Sequence, residues 1–365
     1  MDRRSFIKKA GLAGAATGAA ALATPALSQG MKEMVIVSTW PRDFPGLGLP
    51  AQRLAARITE LTDGKITTKY FAAGERVGAF DSFDEVASGN AQAYLGAEYY
   101  WRGKHAGFAP FTAIPFGLTY TEMDAWIKYG GGQALWDELS AEFGLKAFAA
   151  GNTGVQMGGW FNKEINSADD LKGLKMRIPG QGGDVMAKLG ASPVSLPGGQ
   201  IYENLVSGAI DATEWVGPYN DYFMKFYEAA KYYYFPGMHE PGAQLAMGMN
   251  KAWWDTLSST EQAIIEAACN EENSRTMAET NANNGEYLTK LITENGVQLR
   301  EFNDDIYDAF GEASAEVLEE ARDHSPLAAK IMDATVAARQ EIGTWMAKSD
   351  LAYMQKRNRV LGLED

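Results

Sequence analysis

Arg177 lies in Lys175-Met176-Arg177-Ile178-Pro179-Gly180, a short run whose alternation puts it on the face opposite Met176 and Ile178. A guanidinium held there offers two parallel donors that match a carboxylate. The same residue also fits a surface position or a salt bridge to a neighbouring acid. Two more stretches concentrate polar groups beside glycine. Gly151-Asn152-Thr153-Gly154-Val155-Gln156-Met157-Gly158-Gly159-Trp160 follows a strand and carries two side-chain amides. Glycine lets backbone approach a ligand closely, and an amide oxygen is a neutral, hard ligand for a cation; a tight turn would read the same. In Ala209–Tyr219, Glu214 and Trp215 sit together at a strand end, where one fits a ligand contact or a solvated acid and the other a pocket wall or core.

Catalytic patterns are missing. The three histidines, His105, His239 and His324, have no metal-spaced partner; His239-Glu240 opens like a zinc helix, but Ala243 stands where the second histidine belongs. There is no Gly-x-Ser-x-Gly elbow, phosphate-cradling loop or Cys-x-x-Cys. Gly180-Gln181-Gly182-Gly183-Asp184-Val185 lacks the last glycine of a dinucleotide loop and reads as a turn entering a helix. Cys269, among Ile265, Ala267 and Ala268, reads as a small core residue. Pairs drawn from 47 Asp and Glu leave acid–base catalysis open.

The elements that must carry these residues alternate. Strands are expected at Met34–Thr39, Lys65–Phe71 and Ala91–Leu95, with helices at Leu49–Leu61 and Phe80–Ser88 between them. That order implies a parallel sheet with ligands at the carboxyl ends of its strands. A helical stretch over Thr121–Phe143 leads to a strand at Leu145–Ala150. Short elements follow: Gly158–Asn162, a helix near Ala168–Leu171 and the strand Lys175–Ile178. After Ser192–Leu196 come a helix at Ile201–Val206, a stretch at Asp211–Val216 that ends a strand, a helix at Tyr219–Ala230, and strand-like segments at Tyr232–Phe235 and Gln244–Asn250. From Ala252 the chain is mostly helical, broken by a strand at Val297–Phe302. Its last element runs from Pro326 to about Arg357, with Leu327, Ile331, Val336, Ile342, Met346 and Met354 as an apolar stripe. That stripe suits packing on its own domain or on a second subunit.

Residues 1–28 have the layout of an export signal: Arg3-Arg4, then Lys8-Lys9, a weakly apolar Ala10–Ala23 and small residues ending near Ser28. The expected location is therefore the periplasm, with the signal cleaved near Ser28. No later apolar run approaches the roughly 18–20 residues that cross a bilayer. The formal charge of −14 becomes −17 when the signal's net +3 is removed. So acidic a chain speaks against nucleic acid or anionic lipid as partner, but one buried arginine can still capture a small anion.

Near these residues the sequence resembles the periplasmic solute receptors of tripartite ATP-independent (TRAP) transporters. Ala73-Gly74-Glu75, Ile165–Arg177 and Ile201–Trp215 carry the likeness, which spans nearly the whole chain. Asn152–Phe161, Thr213–Tyr219 and Tyr232–Gly237 resemble the subgroup that binds 2-oxo acids such as pyruvate with a metal ion. The resemblance implies an α/β fold of two domains around a cleft that closes on its solute, and a receptor rather than an enzyme. Both domains would be discontinuous: residues 31–153 with about 243–270, and about 154–242 with 271–325, followed by a C-terminal helix at 326–358. It implies Arg177 as the carboxylate ligand, and Gln156, Glu214 and the Trp215 carbonyl as metal ligands, with the metal touching the substrate. Asn152, Tyr99, Tyr100 and Glu240 fall where further pocket contacts lie. The partners would be a small organic carboxylate, the membrane subunits of a TRAP transporter, and a second copy exchanging the C-terminal helix.

Arg177, Glu214, a monocarboxylate and a monovalent cation balance to zero charge, which favours Na⁺; Ca²⁺ also suits oxygen ligands but needs Glu240 or another acid. Trp101, Phe116 and Trp160 are expected either to set ligand chain length or to be core. The competing readings are an exported enzyme acting on small acids, a receptor for an ATP-driven importer, and a TRAP receptor for an acidic sugar, a dicarboxylate or an ectoine-like compound.

Overall fold

Buried strands alternate with amphipathic helices along the chain. The computed structural model, which describes residues 31–363, arranges them around two sheets. The expected export segment lies outside the described residues. The first sheet has the order β2-β1-β3-β10-β4: β1 Lys32–Ser38, β2 Ile66–Phe71, β3 Ala93–Gly96, β4 Leu145–Asn152 and β10 Gln244–Asn250. The second has the order β11-β9-β5-β8-β6-β7: β5 Gly159–Phe161, β6 Lys175–Arg177, β7 Ser192–Val194, β8 Ala212–Thr213, β9 Tyr232–Phe235 and β11 Gln298–Glu301. Glu33 onward forms one compact unit.

Helix α1 (Gly48–Leu61) buries Leu54, Ala55 and Ile58 on one stripe. It ends where Asp63 and Gly64 take left-handed backbone. β1 and β3 pair in parallel, as the alternation requires, but β10 runs antiparallel to both β3 and β4. The first sheet is therefore mixed, because β10 enters it from the second sheet and not through a crossover helix. The stretch read as one helix over Thr121–Phe143 is two, Tyr120–Tyr129 and Gly132–Glu142; Gly131 between them has φ +85°. The stretch from Tyr219 likewise breaks at Lys225, with φ +58°.

Two connections pass between the sheets side by side. β4 leads through residues 153–158 into β5, and β9 returns through 236–243 into β10; β4 pairs with β10 and β5 with β9, each antiparallel. They approach so closely that a Cβ at Gly237 would lie 2.7 Å from the Met157 carbonyl and 2.8 Å from that of Gln156. Three helices are needed below: α2 (Gly180–Lys188), α3 (Pro218–Met224) and the 35-residue α4 (Ser259–Thr293). α4 packs against β4, α1 and α3, and the boundary expected near residue 270 falls inside it. Its capping box joins Ser258 and Glu261, and Arg53 of α1 bonds Glu272 and Glu279 on its flank.

The C-terminal element is α5 (Pro326–Met346), a π turn at Ala347–Leu351 and α6 (Ala352–Leu361). Ile331, Met332 and Ala338 of α5 are buried, whereas α6 buries nothing. Trp101 and Trp160 are core. Trp101 packs on Tyr94 and Phe83 with centroids 4.6 and 5.2 Å apart, and Trp160 stacks on Tyr233 at 4.0 Å. Phe116 packs edge-on against Tyr307 at 5.3 Å.

Just past β3, Glu98 is wholly buried; its Oε1 accepts bonds from Tyr94 Oη (2.9 Å) and Trp136 Nε1 (3.3 Å). Burial pushes its carboxyl from 4.5 up to about 7. The unfolded chain thus loses this proton before the folded one does, and stability falls as pH rises from about 4.5 to about 7. Glu98→Gln keeps the acceptor and removes the charge. Its stability relative to the parent is expected to rise by about 1 kcal/mol per pH unit across that window. Urea unfolding at pH 5 and pH 7 checks this, and parallel pH profiles for the two proteins would refute it.

Candidate functional site

The carboxyl ends of β1, β3, β4, β6 and β8 point into one place, the usual location of a ligand in an α/β sheet. Trp40 follows β1, Ala97, Tyr99 and Tyr100 follow β3, Thr153 and Gln156 follow β4, Arg177 closes β6, and Trp215 and Val216 follow β8. With Glu240, Ala243 and Leu245 from the returning connection, these residues line a cavity of about 20 Å³.

Its centre is an ion pair. Arg177 and Glu214 are each 1 % exposed and bonded through Nη1 and Oε1. Nη1 also donates to the Glu214 carbonyl, and Nε to the Leu196 carbonyl, both at 3.2 Å. Among the described residues nothing accepts a bond from Nη2. The guanidinium lies over the Trp215 ring, 5.2 Å from its centroid. The other Glu214 oxygen faces His239 Nε2 at 3.2 Å. Burial works to lower the His239 pKa, but the bond and charge of Glu214 outweigh it and the net shift is upward. Glu240, also buried, accepts from Gln156 Nε2 at 2.7 Å. Burial first, and then the charge of Glu214, push its carboxyl up to about 7.

The residues at this site fit a cation. Gln156 is 3 % exposed, and its Oε1 has no donor. A buried acceptor left bare is costly unless something positive meets it. The amide cannot turn the other way freely, because Nε2 is held by Thr153 Oγ1 at 3.0 Å and by Glu240. The Trp215 carbonyl accepts no hydrogen bond among the described residues. One ligand atom each from Glu214, His239 and Glu240 lie within 4.8 Å of one another. Oxygen-rich surroundings of this kind suit a hard cation.

The loop that presents Glu214 and Trp215 is pinned from behind. Asp221, in the first turn of α3, accepts from Val216 N (3.1 Å), Trp160 Nε1 (2.9 Å) and Tyr233 Oη (2.7 Å). Burial raises its carboxyl to about 7, against the lowering effect of those three bonds. Asp221 thereby ties β5 and β9 to the site.

Of the residues expected from sequence, Arg177, Gln156, Glu214, Trp215, Tyr99, Tyr100 and Glu240 come together. Asn152 does not line the cavity. Its Oδ1 accepts from Gly154 N at 2.9 Å and its Nδ2 donates to the Gly242 carbonyl at 3.2 Å, so it braces the turn. In the sequence His239 reads only as half of a zinc motif. The usable signal was a His-Glu pair inside a Gly/Pro-rich connection between two strands. Trp40, Leu47 and Leu245 gave no signal, since an apolar wall reads like core.

The family profile of the bacterial extracellular solute-binding proteins, family 7, matches residues 37–324. The monocarboxylate 2-oxoacid-binding periplasmic protein of Nostoc sp. is 37 % identical over 358 residues, covering 97 % of this chain and 98 % of the relative. A TRAP periplasmic solute-binding protein from Pseudoalteromonas atlantica, solved with sodium and pyruvate, is 38 % identical with a TM-score of 0.86, covering 89 % of this chain and 99 % of that one. A Bordetella bronchiseptica TRAP solute-binding protein, solved as a mixed-occupancy dimer with calcium and picolinate in one site, is 34 % identical with a TM-score of 0.89, covering 92 % and 99 %. The two sheets, the buried site at the strand ends and the extent of these matches all agree: the chain belongs to the bacterial extracellular solute-binding proteins of family 7, which are receptors and not enzymes.

Proposed function

We propose that this protein is the periplasmic receptor of a TRAP transporter and closes on a small 2-oxo or 2-hydroxy monocarboxylate together with a metal cation. The observation that carries the reading is the juxtaposition of a buried guanidinium with a free donor and a buried amide oxygen with no donor. A 2-oxo acid answers both: its carboxylate meets Arg177, and a cation on Gln156 Oε1, Glu214 and the Trp215 carbonyl meets the carboxylate and the neighbouring oxygen. The Pseudoalteromonas relative with sodium and pyruvate and the Bordetella relative with calcium and picolinate support it. Pyruvate and picolinate share a carboxylate with a second donor atom on the adjacent carbon. Na⁺ balances Arg177, Glu214 and one carboxylate; Ca²⁺ calls for a further acid, and Glu240 is the acid in reach.

In this reading, residues 31–153 with about 243–270, and about 154–242 with 271–325, are the two lobes, and ligand shifts their equilibrium toward the closed form that the membrane subunits recognise. The export signal directs the chain to the periplasm, and no described helix is long and apolar enough to cross a membrane. The C-terminal segment serves as a dimer arm: Trp345, Leu351, Tyr353, Met354, Val360 and Leu361 are all exposed, forming an apolar face that a second copy would cover.

Three measurements test this. Pyruvate with Na⁺ or Ca²⁺ is expected to raise the melting temperature of ligand-stripped protein. Arg177→Ala should abolish that shift and cost about 3 kcal/mol or more of stability, since it leaves Glu214 buried and unpaired. A shift produced only by acidic sugars or dicarboxylates would discard the 2-oxo acid reading. Gln156→Ala should weaken pyruvate binding and remove its metal dependence in calorimetric titration; affinity unchanged after chelation of all metal in the parent would refute the cation. Deleting residues 345–365 should convert a dimer to a monomer in light scattering, and a full-length chain that is already monomeric would overturn the arm.

A further inference from the structure

Two cavities meet at a pair of tyrosines. The binding cavity of about 20 Å³ and a second of about 430 Å³ have only Tyr99 and Tyr100 in common. The two rings stand edge to face with centroids 4.9 Å apart. Beyond them the second space is a groove open to solvent, with Ile178, Pro179, Pro193 and the exposed Val194 as an apolar wall and the paired Arg102 and Asp184 as a charged side. Gly180 keeps the partition thin: it has φ +67°, and a Cβ there would already touch the Tyr99 ring at 3.4 Å.

The rest of the binding cavity offers no room for growth. Trp40, Leu47, Val216 and Leu245 belong to a packed core cluster, so that wall cannot give way to a longer substituent. If Arg177 and the cation ligands fix the carboxylate and the 2-oxo oxygen, any longer substituent must pass the tyrosines. These two differ in how firmly they are held. Tyr99 is 6 % exposed within a core cluster, with its backbone N–H on Thr112 Oγ1 at 3.2 Å. Tyr100 is partly exposed, packed against that cluster and a neighbouring one, with its ring 4.8 Å from that of Phe80.

We propose that Tyr100 is the specificity-determining partition that limits the ligand to the shortest 2-oxo acids, and that the open groove beyond it is a latent subsite for an aliphatic substituent. The inference rests on the 2-oxo acid reading above. A Tyr100 ring removed without loss of the Arg177 and cation contacts joins the two cavities, and each methylene then buried gains about four-fold in affinity.

Calorimetric titration with pyruvate, 2-oxobutanoate and 2-oxohexanoate in saturating Na⁺ or Ca²⁺ tests it on the parent, Tyr100→Ala, Tyr100→Leu and Tyr100→Phe. In the parent, affinity falls along the series. In Tyr100→Ala the ratio of 2-oxohexanoate to pyruvate affinity rises by about tenfold or more. Tyr100→Leu, which keeps apolar packing against Phe80, gives an intermediate ratio should the alanine variant fold poorly. Tyr100→Phe retains the ring and keeps the parent's ratio of 2-oxohexanoate to pyruvate affinity, whatever its affinity for each. A parent that already prefers 2-oxohexanoate, or an unaltered ratio in both the alanine and leucine variants, overturns the partition. The same holds if Tyr100→Phe shifts the ratio as far as alanine does. A parent that binds none of the three acids overturns the 2-oxo acid reading itself, whereas pyruvate binding with an unaltered ratio overturns the partition alone.

Discussion

Everything at the site depends on a charge pair taken out of water. Arg177 and Glu214 are buried together, and among the described residues the further charge-bearing group bonded to either is His239, on Glu214. Desolvating two ions costs several kcal/mol each, and their attraction repays that only where the geometry is good and the remaining donors and acceptors are met. The surrounding structure supplies those bonds. The Glu214 and Leu196 carbonyls take guanidinium hydrogens, and the Trp215 ring lies under the cationic plane. A site of this kind is a poor device for stability and a good one for recognition, because it favours only an entering group that preserves the balance.

The fold meets that demand with crossing connections. Arg177 closes β6 and Glu214 comes directly after its parallel neighbour β8, where the Glu214 N–H donates to the Arg177 carbonyl at 3.1 Å, so the end of the ladder fixes their spacing. Gln156 and Glu240 come instead from the two segments that run between the sheets, joined to each other at 2.7 Å. A movement of one sheet against the other must therefore pass through residues that also touch the ligand site. Asp221 extends this rigidity outward, since it holds Val216, Trp160 and Tyr233 on a single carboxyl group. Any movement of one sheet against the other would thus be coupled to the local geometry by covalent connection, with no need of a separate relay.

Much of this was legible in the sequence, and the failures have physical reasons. Period and turn residues identified the longer strands and the start of the C-terminal helix at Pro326, whereas β5 and β7, three residues each, are too short to show a period. Composition alone read Arg177, Gln156 and Glu214 as polar groups in unusual company, and resemblance gave them roles. Direction was not legible: β10 reads as a strand either way, and only its origin in the other sheet makes it antiparallel. Breaks inside helical stretches were missed because Gly130-Gly131 and Lys225 interrupt no apolar period. Asn152 is ambiguous in sequence because an amide that braces a turn and an amide that meets a ligand share one residue type and one glycine-rich setting. Trp160 and Trp101 were ambiguous for the corresponding reason among aromatics, and stacking on Tyr233 and Tyr94 settles both as core.

The charge balance also bears on how ligand and cation would act on each other. Arg177 and Glu214 neutralise one another, so a carboxylate entering alone brings a net negative charge into a closed, buried space, and a cation entering alone brings a positive one. Each is opposed by the cost of an unpaired buried charge. Entering together they add nothing net, and the cation lies between oxygens of the protein and oxygens of the acid. Each would then raise the affinity for the other by the same factor, as linkage requires of two ligands on one site. Selection for a donor next to the carboxylate follows from that coupling. An acid without a second oxygen in reach of the cation gains only the guanidinium contact and forgoes the cooperative part of its binding. The bare Gln156 oxygen is the feature of the chain that makes this coupling a property of the site and not of Arg177 alone.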